Sequence, residues 1–366
     1  MKTLKYKFLT VALLLFATIA AQASMIEKKR TVRKSFPVKE NTSVELNSKY
    51  GTINVANWDK DSVAFRIEIV GRSNSEGFSQ EMIEDTEVRF SASDAFIVIN
   101  TEFKDEGAQL VTTLNKVTKS LGGGSKSEVL VNINVMMPDW CSIDVDHKFG
   151  DVIMSSRSSK VIVNTSYCDV KMGELNGYTD LKVKFGDLNI QTVKRLNLDC
   201  EYADVVIFKA ENADIDSKGS KLNIHEIGKL RARTKRDDFT IYKAASVNAD
   251  GSYSDVVITD LSSSINFNGK FGDITVHNVE ASFTQITMNC ERSNANLSFD
   301  SACNFSLDLN LEMGDLTYPM GMINVTESSE EEGDRTKYFG YVGSNNDPSS
   351  KMEIFGKETD VNITLK

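Results

Sequence analysis

Acidic residues recur through the middle of the chain at a nearly constant interval of 17, 18 or 21 residues. We call these positions the anchors; Lys221 and Asn294 occupy two of them. If each interval is one coil of a stacked array, neighbouring carboxylates lie about 5 Å apart, the separation used by retaining glycosidases. Aligned carboxylates are also the ligands that Ca²⁺ prefers. The acidic anchors are Asp151, Asp169, Asp187, Asp204, Asp238, Asp255, Asp273 and Asp315.

The regularity of the anchors favours a structural role over catalysis. An active site would interrupt the repeat at one place, and the anchors show no such break. Calcium-binding β-rolls require a denser Gly-rich sequence motif than this chain has. We therefore expect each Asp side chain to cap its own turn by accepting backbone N–H groups. No catalytic or metal-binding residue is predicted. No cofactor is predicted either, because Ser125 stands where a phosphate-binding loop would need Gly.

Aromatic residues stand two positions before many anchors. An exposed column of rings would suit stacking against sugars. Simple in-and-out alternation, however, places Phe185 on the same side as Leu181 and Val183, which predicts a stack inside the core. The column consists of Phe149, Tyr167, Phe185, Tyr202, Tyr253 and Phe271.

Basic residues gather where the aromatic column is interrupted. They are candidates for binding an anionic glycan or a lipid head group, with an ordinary solvated charged face as the alternative. The candidate surface-binding residues are Lys218, Lys221, Arg233, Lys235 and Arg236. The two equivalent histidines, His225 and His277, stand three coils apart, which is too far for a shared metal.

Apolar residues keep fixed places around the anchors, which indicates the fold. They recur one and three positions after each anchor, and six and eight positions before it. Alternation with a period of two is typical of strands, and a single copy cannot bury its own apolar face. The pattern predicts an all-β, single-stranded parallel β-solenoid of about 17–21-residue coils, right-handed, with an N-terminal β region and C-terminal capping strands. Gly186 and other small residues before the anchors would adopt the unusual backbone angles of a bend.

The chain divides into four predicted segments. Residues 1–23 have the basic start, apolar centre and small-residue cleavage site of a signal peptide, with cleavage near Ala23. Residues 24–138 form a β region, with an excursion at 104–127 that contains a short helix over 108–121. Residues 139–318 form the solenoid, and residues 319–366 form an acidic loop and capping strands.

The composition narrows the choice of partners. A net charge of −10 disfavours nucleic acid, and outside the signal peptide no apolar run is long enough to span a membrane. The five cysteines are odd in number and irregularly spaced, so we expect small core residues rather than a disulfide framework.

The chain resembles a bacterial family of secreted β-strand-repeat proteins labelled "putative adhesins". The resemblance rests on the strand that ends at Pro138, on the Phe-Gly-Asp phrases that begin at Phe149, Phe185 and Phe271, and on the final alternating strand, residues 360–365. It implies a β-helix-like fold and a place outside the cytoplasm.

We expect a non-enzymatic protein, secreted or held in the periplasm or cell envelope, that presents a rigid surface to a glycan, matrix or protein partner. The alternatives are a periplasmic assembly factor and a polysaccharide-active enzyme. The candidate site of such an enzyme is the cluster at the break in the aromatic column, Lys218, Lys221, Arg236, Asp237 and Asp238.

Overall fold

The computed structural model describes residues 25–104, 127–319, 323–329 and 334–366. The predicted signal peptide and the helix predicted over residues 108–121 lie outside these ranges. The first described part is β-rich, as expected, because its segments alternate apolar and polar residues. Its elements are β1 (Ile26–Pro37), β2 (Ser43–Asn57), β3 (Ser62–Ser73), α1 (Glu76–Glu84), β4 (Thr86–Ala92), β5 (Phe96–Phe103), β6 (Glu128–Met137) and β7 (Ser142–Met154).

Ser75 caps the N-terminus of helix α1, and its hydroxyl accepts a hydrogen bond from the backbone N–H of Phe78 at 3.5 Å. It packs against β1 and β3 and is nine residues long. The described residues contain no helix with the length and apolar character needed to traverse a bilayer.

The central strands stack in parallel. Asp204 is in register with Asp187 on one side and with Lys221 on the other, so equivalent anchors are neighbours across coils. This confirms that the anchor repeat reflects stacked coils. The central strands are β8 (Val161–Lys184), β9 (Asp187–Glu201), β10 (Asp204–Lys218), β11 (Lys221–Lys235), β12 (Asp238–Ser252) and β13 (Asp255–Lys270). Strands β9 to β13, however, each run from one anchor almost to the next rather than forming two short strands, and β8 also includes the eight residues before its anchor Asp169.

The remaining strands complete the stack but do not follow chain order. Strand β21 lies between β15 and β17, and β22 lies between β16 and β18, all in parallel register. Of the predicted C-terminal capping strands, β21 and β22 therefore form an internal coil, whereas the antiparallel β20, together with β19, covers that end. Their bounds are β14 (Ile274–Val279), β15 (Gln285–Glu291), β16 (Ala295–Phe299), β17 (Phe305–Glu312), β18 (Leu316–Thr317), β19 (Ile323–Ser329), β20 (Arg335–Val342), β21 (Ser350–Lys357) and β22 (Val361–Leu365).

The other end of the stack has a similar arrangement. Strand β2 lies between β7 on one side and β5 with β6 on the other, in parallel register with all three. Strands β1 and β3 then continue the sheet beyond β6 in antiparallel order. Antiparallel strands thus cover both ends, which limits the exposure of open edges that would otherwise pair with other chains.

A sharp corner closes each coil two residues before the anchor. The corner residue has a left-handed backbone conformation, as at Tyr167 (φ 58°), Phe185 (φ 56°) and Arg236 (φ 60°). The predicted position of the unusual angle, one residue later, is therefore wrong. Gly186 is needed for space: a Cβ there would lie 2.0 Å from the carbonyl oxygen of Cys168 in the next coil.

The core is lined by the four predicted apolar columns and by one further column, six residues after the anchor. The further column is buried because each strand bends between its two straight parts, which brings a residue inward out of alternation. It consists of Leu175, Val193, Ala210, Ile227, Ala244, Leu261 and Val279.

Arg157 occupies the first place of this further column and is 1% exposed. It donates hydrogen bonds to the Asn57 side chain (2.9 Å) and to the carbonyl oxygens of Pro138 (2.8 Å) and Cys141. Burial lowers the pKa of Arg157 to about 10. Its guanidinium thereby links the ends of β2 and β6 to the start of β7.

Candidate functional site

The aromatic column lies on the outside of the corner. Tyr167, Phe185 and Tyr202 are 50%, 42% and 49% exposed, so the prediction of an internal stack is wrong for these residues. Alternation failed because the left-handed corner residue turns the side chain outward. Neighbouring rings are nearly parallel, with centroids 4.9 Å apart between Tyr167 and Phe185 and 5.3 Å apart between Phe185 and Tyr202. Tyr253 and Phe271 continue the column at 4.8 Å. We call these five residues the corner ladder. Phe149, at the start of the aromatic column, is half-buried and packs against the core.

A second exposed stack lies on another edge of the coil. The His225 ring lies between the rings of Phe208 and Tyr242, with both centroid separations at 4.8 Å. All three side chains follow their anchors by four residues. The sequence placed His225 outward, and the structure shows that its partners are rings rather than metal ligands.

The corner ladder is interrupted over two coils, where Gly219 and Arg236 take the aromatic positions. The Tyr202 ring lies against Gly219 in this gap: a Cβ added to Gly219 would be only 2.7 Å from a ring carbon. From Tyr202 to Tyr253 is three coil steps, about 14 Å at strand spacing. The gap therefore separates two exposed rings that face the same side.

Basic side chains surround this gap. Lys218 and Lys235 are neighbours in register, Lys221 follows the corner, and Arg236 occupies it. We call these four residues with Gly219 the basic notch. Among the described residues, no carboxylate lies within 4.0 Å of any of the four charged groups. The Lys218 ammonium lies 5.9 Å from the centre of the Tyr202 ring, within reach of a cation–π contact.

Arg233 differs from the other four candidates. Its guanidinium donates two hydrogen bonds to the carboxylate of Asp216 in the neighbouring coil, one of them at 2.7 Å. Other outward cations are paired in the same way, such as Lys209 with Glu226 at 2.6 Å. The structure therefore brings four of the five predicted cations together at the gap and holds the fifth in an ion pair.

Asp237 lies beneath the basic notch and is 2% exposed. Its carboxylate accepts hydrogen bonds from the Ser217 hydroxyl (2.7 Å) and from the backbone N–H groups of Ser220 (2.6 Å) and Lys235 (2.8 Å). These bonds hold two neighbouring corners in fixed positions. The sequence placed Asp237 in the cluster at the break in the aromatic column, as part of a candidate enzyme site; its carboxylate instead accepts hydrogen bonds from the protein itself.

The carboxylates of Asp169, Asp255 and Asp273 bond to the neighbouring coil rather than within their own turns, which corrects the predicted geometry. The Asp169 carboxylate accepts from the backbone N–H of Asp187 (3.3 Å), and Asp255 accepts likewise from Asp273 (3.0 Å). Partial burial, and next the charge of Asp169, raise the pKa of Asp187. In the described part of the chain, no group of three or more His, Cys, Asp or Glu side chains is placed to hold a metal ion.

The cysteines are buried and unpaired, as the sequence predicted. Burial raises the pKa of Cys141, Cys168 and Cys303 to about 11, and that of Cys200 and Cys290 to about 12. A thiol is reactive only as the thiolate, so these groups are poor nucleophiles in the folded protein.

No family model matches the chain, and no curated protein matches it. Solved structures do resemble it. A "putative adhesin" from Bacteroides fragilis is 14% identical, covers 68% of this chain and 97% of its own, and has a TM-score of 0.38. A "putative adhesin" from Parabacteroides distasonis is 12% identical, with coverage of 91% and 97% and a TM-score of 0.29.

A third structure, a "putative cell adhesion protein" from Clostridium sporogenes, is 10% identical, covers 92% of this chain and all of its own, and has a TM-score of 0.20. The solved structures that resemble this chain thus carry the same description as the family that the sequence resembles. At these TM-scores the likeness carries no argument about function, which must rest on the surface chemistry of this chain.

Proposed function

We propose that this protein is a non-enzymatic, adhesin-like binding protein that contacts an acidic glycan through the corner ladder and the basic notch. The observation that carries the proposal is a line of exposed rings interrupted by four cations without a carboxylate partner among the described residues. Exposed rings offer flat apolar faces to sugar C–H groups, and the notch offers charge to a carboxylate or sulfate.

The notch is suited to ligand binding because, among the described residues, none of its four cations forms an ion pair within 4.0 Å, although Asp204 and Asp238 lie in register with Lys221 on either side. The surrounding ion pairs, such as Arg231 with Asp214 at 3.2 Å, show that the fold balances charge elsewhere on this surface. A cation without a nearby partner interacts more strongly with an arriving anion than one that must first break an ion pair. A protein partner with an acidic surface is the alternative ligand.

The rigid stack supports such a site. Tyr202 and Tyr253 are fixed by strands that pair in parallel on both sides, so little side-chain freedom is lost when a ligand binds. We also propose that the solenoid is right-handed. The protein acts outside the cytoplasm after its signal peptide is cleaved near Ala23. Mass spectrometry of the native protein tests the cleavage, with Ser24 as the expected first residue.

A glycan array tests the proposed function. We expect the wild type to retain acidic glycans and the Tyr202→Ala/Tyr253→Ala double variant to lose at least tenfold in affinity. Tyr242→Ala is the matched control, because it removes an equally exposed stacked ring from a different edge. Equal retention by all three proteins, or no glycan retained by the wild type, would contradict the proposal.

A further inference from the structure

A long trough runs along the stack and is lined by residues seven to nine positions before successive anchors. It crosses seven coils, from Tyr178 at one end to Gln285 at the other, and has a volume of about 740 Å³. Six coil steps correspond to a length of about 29 Å. We call this feature the axial trough. A compact small molecule would fill only a fraction of this length, whereas an extended polymer would fill all of it.

The floor of the axial trough overlies one apolar column of the core. This column consists of residues eight positions before successive anchors, among them Leu196, Leu230 and Val247, each only 3–4% exposed. The exposed ring of Tyr178 closes one end and offers an apolar face to sugar C–H groups. Contact along the rest of the trough therefore depends on its polar walls.

The walls carry amide and hydroxyl groups that can both donate and accept hydrogen bonds. Asn266 donates to Asn248 at 3.0 Å, and Ser264 donates to Ser246 at 3.1 Å, so these side chains are already aligned along the stack. Each amide keeps further donor or acceptor capacity that points to solvent. Sugar hydroxyls have the same dual capacity, which makes a polysaccharide a better match than an apolar peptide.

Charge is confined to one half of the axial trough. Arg195 and Lys229 line that half, and among the described residues no carboxylate lies within 4.0 Å of either charged group. Arg231 lies beside them but is paired with Asp214 at 3.2 Å. The two unpaired cations sit on coils separated by one other coil, about 10 Å at strand spacing. An extended chain with repeating acidic groups can therefore meet both.

We propose that the axial trough binds an extended, unbranched acidic polysaccharide that lies parallel to the stack. The trough is a second site, on a different edge of the coil from the corner ladder. It rests on the proposed function only in that both ligands are glycans. A trough that is continuous over seven coils predicts affinity that grows with chain length. The corner ladder also spans seven coils, so substitutions in each site, rather than length dependence alone, separate the two sites.

Titration with a length series of alginate oligosaccharides, from the disaccharide upward, tests the proposal. We expect the affinity of the wild type to rise with length until the chain spans the trough, and then to level off. Asn212→Trp places a bulky ring across the trough and should weaken the longest oligomers at least tenfold. Asn189→Trp is the matched control, because Asn189 lies on another face of the coil. Melting temperatures of both variants confirm that each is folded.

Two further variants separate the sites. Arg195→Ala/Lys229→Ala should weaken the acidic series and reduce its dependence on salt, while neutral cello-oligosaccharides should bind the wild type less tightly. Tyr202→Ala should leave the length dependence unchanged, so failure of the corner proposal is distinguishable from failure of this one. Affinity that does not change with length, an unaffected Asn212→Trp variant, or no binding of alginate would overturn the proposal.

Discussion

Replacement of the buried Asp237 with Ala should destabilise the middle of the stack more than any nearby surface change. The substitution removes the acceptor for the Ser217 hydroxyl and for the backbone N–H groups of Ser220 and Lys235. A buried donor left without a partner costs about 1–3 kcal/mol. The hydroxyl can rotate towards another acceptor, but the two N–H groups cannot. Relief of the buried charge offsets part of the loss, so we expect about 3 kcal/mol in total.

Urea unfolding followed by circular dichroism measures this difference. The matched control is Asp238→Ala, one residue along the chain, where the side chain points to solvent. We expect Asp238→Ala to leave the free energy of unfolding nearly unchanged, because surface substitutions away from special features have small effects. Equal destabilisation by both variants would refute the reasoning. The same control addresses catalysis: if the anchors formed a glycosidase site, Asp238→Ala would abolish hydrolysis of a substrate polysaccharide.

Three further outcomes follow from the structure. Gly186→Ala should lower the melting temperature, because its Cβ would meet a carbonyl oxygen at 2.0 Å, whereas Gly251→Ala, with its nearest contact at 3.4 Å, should be tolerated. Deletion of residues 350–366 should expose β15 and β17 to rapid hydrogen exchange, because β21 pairs with both; unchanged protection would contradict the observed coil order. Burial raises the pKa of the five thiols, so their contribution to stability is complete below about pH 8.5 and is lost as the pH rises towards 11–12. Thiol labelling at pH 8 should require unfolding, and labelling of the folded protein would contradict this account.

The repeat and its core could be predicted from the sequence because they depend on local alternation. The spacing of the anchors specified parallel stacking, and residues such as Val205 and Ile207 proved to be buried where alternation placed them. Alternation holds wherever the backbone stays extended, which is true of most of each coil.

Errors arose where the backbone leaves the extended conformation. Phe185 points outward because its left-handed φ of 56° reverses the expected side. Ala210 points inward, out of phase with Ile207, because the strand bends between them. Neither conformation is encoded by hydrophobicity, so a period of two could not show them.

The order of the coils was also beyond local patterns. Val361 and Ile363 match the repeat, and the sequence identified their strand, but nothing in it shows which coils that strand separates. Coil order is set by the packing of the whole end of the stack. The basic notch was found because its residues are close in sequence, whereas the axial trough joins residues from seven coils and has no compact motif.

A crystal structure with the acidic glycan that binds tightest on the array tests the central claim most directly. The account predicts sugar rings against Tyr202 and Tyr253, with an acidic group between them beside Arg236. Absence of glycan density at these residues, or corner rings turned into the core, would contradict it.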